Sequence, residues 1–67
     1  MVLEDYHGQE LRENDICRLK DGSAGYVKIY KTREGKYFYV DIEDDLDLYS
    51  LGVHNCSNLE IVFSPRL

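Results

Sequence analysis

A two-residue alternation of apolar and polar side chains is the feature that most restricts what this chain can fold into. In the segment 26–30, Val27 and Ile29 occupy one face, while two tyrosines and a lysine occupy the other. Such alternation is typical of half-buried β-strands, whose successive side chains point to opposite faces. No stretch of ten or more residues has the apolar spacing of an amphipathic helix. The pattern therefore predicts an all-β fold with little or no helix.

Two neighbouring segments repeat this alternation. In the segment 17–20, Cys17 and Leu19 are predicted to face the core. In the segment 37–42, the same alternation predicts which side chains face the core. The predicted inward residues are Phe38, Val40 and Ile42, and the predicted outward residues are Tyr37, Tyr39 and Asp41.

Glycine-containing polar segments separate these strands and predict turns. One turn includes Gly22, and the stretch 31–36 is predicted to be a hairpin loop. A fourth strand is predicted within 46–51, and 58–63 is predicted to be a short helical turn followed by a closing strand that ends before Pro65. About five short, strongly bent antiparallel strands are expected to close into a small barrel, because closure removes exposed sheet edges.

The stretch LRENDICRLKDGSAGYVKIY resembles the opening of SH3-like barrels of the KOW-motif type. Asn14-Asp15 stands where that pattern has Gly-Asp, and the triplets KDG and GYV match its later turn and strand. YFYVDIEDD is similar to the third strand of such barrels, and NLEIV to their closing segment. The resemblance implies one SH3-like domain over 1–67 with a core at about 11–63, of the kind found in short bacterial or phage proteins.

Length and composition favour one small globular domain. The chain has 67 residues, of which 43 % are hydrophobic and one is Pro, an apolar content too high for a disordered tail. No apolar run approaches the ~20 residues of a membrane span, and the N-terminal stretch lacks the features of a secretion signal. A cytoplasmic protein is therefore expected, in which Cys17 and Cys56 are reduced, mostly buried thiols. A disulfide between them is the alternative.

Charge is distributed unevenly along the chain, whose formal net charge is −5. Residues 12–36 carry seven bases and four acids, whereas 37–67 carry one base and six acids. The basic segment contains strands whose outward face interleaves tyrosines with cations, a combination used to bind partners. Tyr is also favoured on strands for its β-propensity alone. The predicted partner-binding residues are Arg18, Lys20, Tyr26, Lys28, Tyr30, Tyr37 and Tyr39.

Patterns for metal binding and catalysis are not found in the sequence. The four His and Cys residues lack the close Cys-Cys spacing of a zinc site. The acidic run 41–47 begins with the spacing of a calcium loop, but Leu46 stands where the loop requires Gly, and Gly52 where it requires Glu. No nucleophile elbow or phosphate-binding loop is present. No catalytic residue, metal site or cofactor is predicted.

The sequence therefore indicates a non-enzymatic binding module that acts as a monomer or weak homodimer. Its predicted partner is another protein, bound through the tyrosine-rich strand face. RNA or DNA binding through the same cations and rings is the first alternative, and the resemblance favours it because KOW-type barrels include RNA-binding members. The second alternative is a phage-type inhibitor whose 13 acidic residues mimic the charge of a nucleic acid.

Overall fold

Five antiparallel strands form one sheet in the computed structural model, which describes residues 2–22, 25–43, 48–52 and 55–65. The sheet order is β4-β3-β2-β1-β5. The predicted all-β class is confirmed, since the one helical segment among the described residues is a 3-10 turn, Cys56–Asn58. No ladder joins β4 to β5 within those residues, so the sheet is open and the expected closure into a barrel is not observed there. The strands are β1 (Ile16–Leu19), β2 (Tyr26–Lys31), β3 (Tyr37–Asp41), β4 (Leu48–Leu51) and β5 (Leu59–Phe63).

Some sequence predictions fall on parts of the chain that are not described. Of the acidic run 41–47, the last four residues lie outside the described ranges, as does His54. The predicted fourth strand is present from Leu48 onward. Cys17 and Cys56 are buried thiols, so the alternative disulfide between these two described residues is not formed.

The turn that leads into β1 depends on a left-handed residue. Asn14 has a φ of 72°, a conformation that Gly and Asn adopt most readily. Its N–H donates to the Ile29 carbonyl oxygen at 2.8 Å, and the Ile29 N–H donates to the Asp15 carbonyl oxygen at 2.9 Å. The requirement for this backbone conformation explains the presence of Asn at position 14.

The core lies on one side of the sheet. Its central residues are fully buried, with Leu11, Cys17 and Ile29 each 0 % exposed. Leu3 also belongs to this core, so the N-terminal segment contributes to it together with the strands. The buried cluster consists of Leu3, Leu11, Cys17, Val27, Ile29, Tyr37, Leu51, Cys56 and Leu59.

The faces of β1 and β2 agree with the sequence prediction, whereas those of β3 are reversed. Tyr37 is 9 % exposed and belongs to the core, and Tyr39 lies opposite the fully buried Ile29 and packs against the core. Directly opposed residues share a face of a sheet. The prediction of outward Tyr37, Tyr39 and Asp41 was therefore wrong, as was that of core-side Phe38 and Ile42. Val40 is buried as predicted, at 3 % exposure, but it lies opposite Lys28 on the other face of the sheet. Apolar or aromatic residues fill every position from 37 to 40, so alternation alone does not select the buried face.

Candidate functional site

The candidate site is the face of the sheet opposite the core, called the outer face below. A transverse row crosses four strands on this face, because each residue of the row lies opposite the next in the sheet register. The row consists of Ile16, Lys28, Val40 and Leu48. On the two sides of the row, the outer face also includes Arg18, Tyr26, Tyr30, Phe38, Ile42 and Glu60.

Four of the seven residues predicted from the sequence lie together on the outer face. Arg18 is opposite Tyr26, and the Lys28 ammonium is 5.5 Å from the ring centroid of Tyr30 on the same strand. Lys20 lies just beyond the end of β1, with its ammonium 3.9 Å from the ring centroid of Tyr6. Tyr37 and Tyr39 do not join this group, because they lie on the core side of the sheet.

The outer face contains more apolar surface than its strand pattern predicts. Val40 is 3 % exposed, while Ile42 is 46 % and Leu48 63 % exposed. Val40 and Ile42 line a shallow groove of about 170 Å³ together with Lys28 and Tyr30. A small apolar group therefore lies beside Lys28 and Tyr30 on the β3–β4 side of the sheet.

A polar groove lies at one corner of the outer face. The Glu60 carboxylate accepts a hydrogen bond from His7 Nε2 at 2.8 Å and another from Arg18 Nε at 2.6 Å. The hydrogen bond from His7, followed by that from Arg18, lowers the pKa of the Glu60 carboxyl below its ordinary value. The groove has a volume of about 370 Å³ and is lined by Tyr6, Arg18, Leu19, Lys20, Gly22 and Glu60.

The contribution of Tyr6, His7 and Glu60 to this corner was not predicted. His7 and Glu60 are 53 positions apart in the chain, and no spacing rule connects residues at such a distance. Their meeting follows from the path of the N-terminal segment across β5, where the Tyr6 N–H donates to the Leu59 carbonyl oxygen at 2.7 Å. The Tyr6 and His7 rings then lie 4.8 Å apart beside the strand.

The outer face has a small positive charge. Its cations are Arg18 and Lys28, and the carboxylate of Glu60 offsets that of Arg18. Across the described ranges, no group of three or more His, Cys, Asp or Glu side chains is placed to hold a metal ion. No helix among these residues is long and apolar enough to span a membrane.

Comparison of the chain with protein-family models, with curated proteins and with solved structures found no match. The resemblance to SH3-like barrels of the KOW-motif type therefore stays a prediction. The candidate site is interpreted from its own geometry, and that geometry is an apolar strand face bordered by tyrosines and cations.

Proposed function

We propose that the protein is a non-enzymatic binding module that binds a partner protein through the outer face. The observation that carries this proposal is the apolar group Val40, Ile42 and Leu48 on the outer face, of which Ile42 and Leu48 are exposed. The solvent side of an antiparallel sheet is ordinarily polar, and scattered exposed apolar residues are normal. A contiguous apolar group with a polar border is instead typical of an interaction surface.

The side chains of the outer face determine which residues a bound partner segment should contain. The groove lined by Val40, Ile42 and Tyr30 suits an apolar side chain of the partner. Lys28 lies at the same groove and attracts a carboxylate. Tyr26, which is 55 % exposed, supplies a rigid aromatic contact with little loss of side-chain entropy. The proposed ligand is therefore a protein segment with an apolar anchor next to an acidic residue.

Nucleic-acid binding is the second candidate, favoured by the adjacency of Arg18 and Lys28 to Tyr26 and Tyr30. Rings that stack on bases and cations that contact phosphates are the elements of single-strand binding. Partner-protein binding ranks first because Glu60 offsets the charge of Arg18 and the chain as a whole carries −5. The acidic-inhibitor hypothesis ranks last because the basic segment 12–36, with seven bases and four acids, opposes binding to a basic partner.

Affinity capture with three forms of the protein tests the proposal. The wild type, Ile42→Lys and Val2→Lys serve as baits in lysate of the native host, followed by quantitative mass spectrometry. Ile42 is 46 % exposed on the outer face, and Val2 is 60 % exposed on the N-terminal segment, so both substitutions preserve the fold. We expect a partner that is retained by the wild type and Val2→Lys and lost from Ile42→Lys. A partner set that is the same for all three baits contradicts the proposal.

An amide NMR titration distinguishes the two candidate functions. Addition of the purified partner is expected to shift the amides of Tyr26, Lys28 and Val40. Short mixed-sequence single-stranded RNA and DNA are titrated separately at low salt. Shifts with these oligonucleotides that vanish as salt rises would favour nucleic-acid binding, because counterion release drives such association.

A further inference from the structure

We propose that the protein self-associates through β4, whose outer edge pairs antiparallel with β4 of a second copy about a two-fold axis at Tyr49. This inference goes beyond the proposed function, because its hydrogen bonds are made by the backbone at a sheet edge. It identifies the partner as the chain itself. The two surfaces share Leu48. The dimer extends the five-stranded sheet of each copy into one continuous sheet.

The backbone of β4 presents hydrogen-bonding groups at the edge of the sheet. β3 is its one neighbour in the sheet order. The Ser50 carbonyl oxygen accepts from Asn55 Nδ2 at 3.1 Å, and the Gly52 N–H donates to Asn55 Oδ1 at 2.9 Å. Groups that reach the Asn55 side chain point away from β3. Because backbone groups alternate in direction along a strand, those of Leu48 also point to the open edge.

The opposite edge of the sheet is covered. The Ile61 N–H of β5 donates to the Asp5 carboxylate at 3.0 Å, and the Leu59 carbonyl oxygen accepts from the Tyr6 N–H at 2.7 Å. The N-terminal segment thus occupies the positions that an added strand would take on β5. Proteins commonly protect exposed edges with charges or Pro, and the β4 sequence LYSL contains neither.

Asn55 limits the register in which a second copy can pair. Its carboxamide covers the Gly52 end of β4, so that among the described residues a second copy can pair with the segment from Leu48 to Ser50. A two-fold axis at Tyr49 places Leu48 opposite Ser50 of the second copy, and each such pair exchanges two N–H···O bonds. The Ser50 carbonyl oxygen has two lone pairs and therefore keeps its bond to Asn55.

The side chains of β4 suit this arrangement. Tyr49 is 48 % exposed and stacks on Tyr39, with ring centroids 5.3 Å apart and an interplanar angle of 23°. The two-fold axis brings the Tyr49 rings of both copies together and so extends this stack across the interface. On the other face, the 63 % exposed Leu48 contacts Ser50 of the second copy and loses water-exposed area.

Sedimentation velocity on the full chain, at concentrations from about 10 µM to 1 mM, tests the proposal. This range covers the dissociation constants expected of a weak interface. The average mass is expected to rise from 7.8 kDa toward twice that value. Leu48→Lys places a charge at the edge, and Ser50→Pro removes an edge N–H. Each is expected to weaken dimerisation at least about tenfold. Circular dichroism verifies that both variants fold.

Phe63→Lys is the matched control, because Phe63 is a similarly exposed apolar residue on the opposite edge strand. Its dimerisation is expected to stay within about twofold of the wild type. Amide hydrogen exchange is the second measurement, and protection of Leu48 and Ser50 is expected to increase with protein concentration. A monomer mass at every concentration, or dimerisation that neither Leu48→Lys nor Ser50→Pro weakens, overturns the proposal.

Discussion

The Asp5 carboxylate accepts a 3.0 Å hydrogen bond from the backbone N–H of Ile61, which lies 56 residues further along the chain. The same carboxylate accepts from the N–H groups of His7 and Gln9, each at 2.9 Å. Asp5 is 4 % exposed, and a buried carboxylate requires such donors to compensate for lost hydration. One side chain therefore shapes the N-terminal turn and also fixes that turn to β5.

Removal of this carboxylate is expected to destabilise the fold. Asp5→Ala leaves three backbone donors without their acceptor and should lower the free energy of unfolding by about 2–4 kcal/mol. Asp5→Asn retains one carbonyl oxygen and should cause a smaller loss. Urea denaturation at neutral pH measures both, with the exposed neighbour variant Glu4→Ala expected within about 0.5 kcal/mol of the wild type. A similarly small loss for Asp5→Ala would show that the Asp5 hydrogen bonds are not stabilising.

The reversed faces of β3 lead to a second prediction. Tyr37 is 9 % exposed, so Tyr37→Ala should lower the free energy of unfolding by about 3 kcal/mol or more. Tyr26 is 55 % exposed on the outer face, and Tyr26→Ala should cost less than about 1 kcal/mol. Thermal and urea unfolding followed by circular dichroism compare the two variants. Equal losses, or a larger loss for Tyr26→Ala, would contradict the assignment of Tyr37 to the core.

The sequence was sufficient to predict the strand class and the faces of two strands. In β2, charged and apolar residues alternate clearly, so Val27 and Ile29 were assigned to the core from the pattern alone. In β3 the residues from Tyr37 to Val40 are all apolar or aromatic. Alternation is therefore satisfied whether the odd-numbered or the even-numbered residues face the core. The register of the hairpin decides between them, because it places Tyr39 opposite the buried Ile29.

The corner of the candidate site was beyond sequence-based prediction for a different reason. His7 and Glu60 come together because the N-terminal segment follows β5, and that path depends on Asp5. A carboxylate that accepts backbone N–H groups has no distinguishing pattern among 13 acids. Local periodicity describes strands, whereas contacts between distant segments depend on packing.

Burial of Cys17 makes the stability of the protein sensitive to alkaline pH. Burial, with added repulsion from Asp15 and then Asp5, raises the pKa of the Cys17 thiol from 9.0 to about 12. Below pH 9 the thiol is neutral in both the folded and the unfolded chain. Between pH 9 and 12 the unfolded chain loses this proton while the folded chain keeps it, so stability falls as pH rises.

The Cys17→Ala variant measures that effect, because it removes the thiol and keeps every tyrosine. At about pH 10.5, the wild type should lose about 2 kcal/mol more than the variant, relative to their values at neutral pH. Urea denaturation at both pH values gives the difference. Parallel losses in the two proteins would show that the thiol of Cys17 ionises normally in the folded state.

The two hydrogen bonds to Glu60 predict an acid-sensitive contact at the corner of the outer face. Because His7 and then Arg18 lower the pKa of Glu60 below its ordinary 4.5, the contact stabilises the fold above pH 4.5. This stabilisation is lost as pH falls through the lowered pKa of Glu60.

A carbon-detected NMR titration of the Glu60 carboxyl should give a midpoint below 4.5 in the wild type and a higher one in His7→Gln and Arg18→Gln. Arg12→Gln, which removes an exposed arginine paired with Glu10, should leave the Glu60 midpoint unchanged. An identical midpoint in all four proteins would rule out the His7 and Arg18 contacts as its cause.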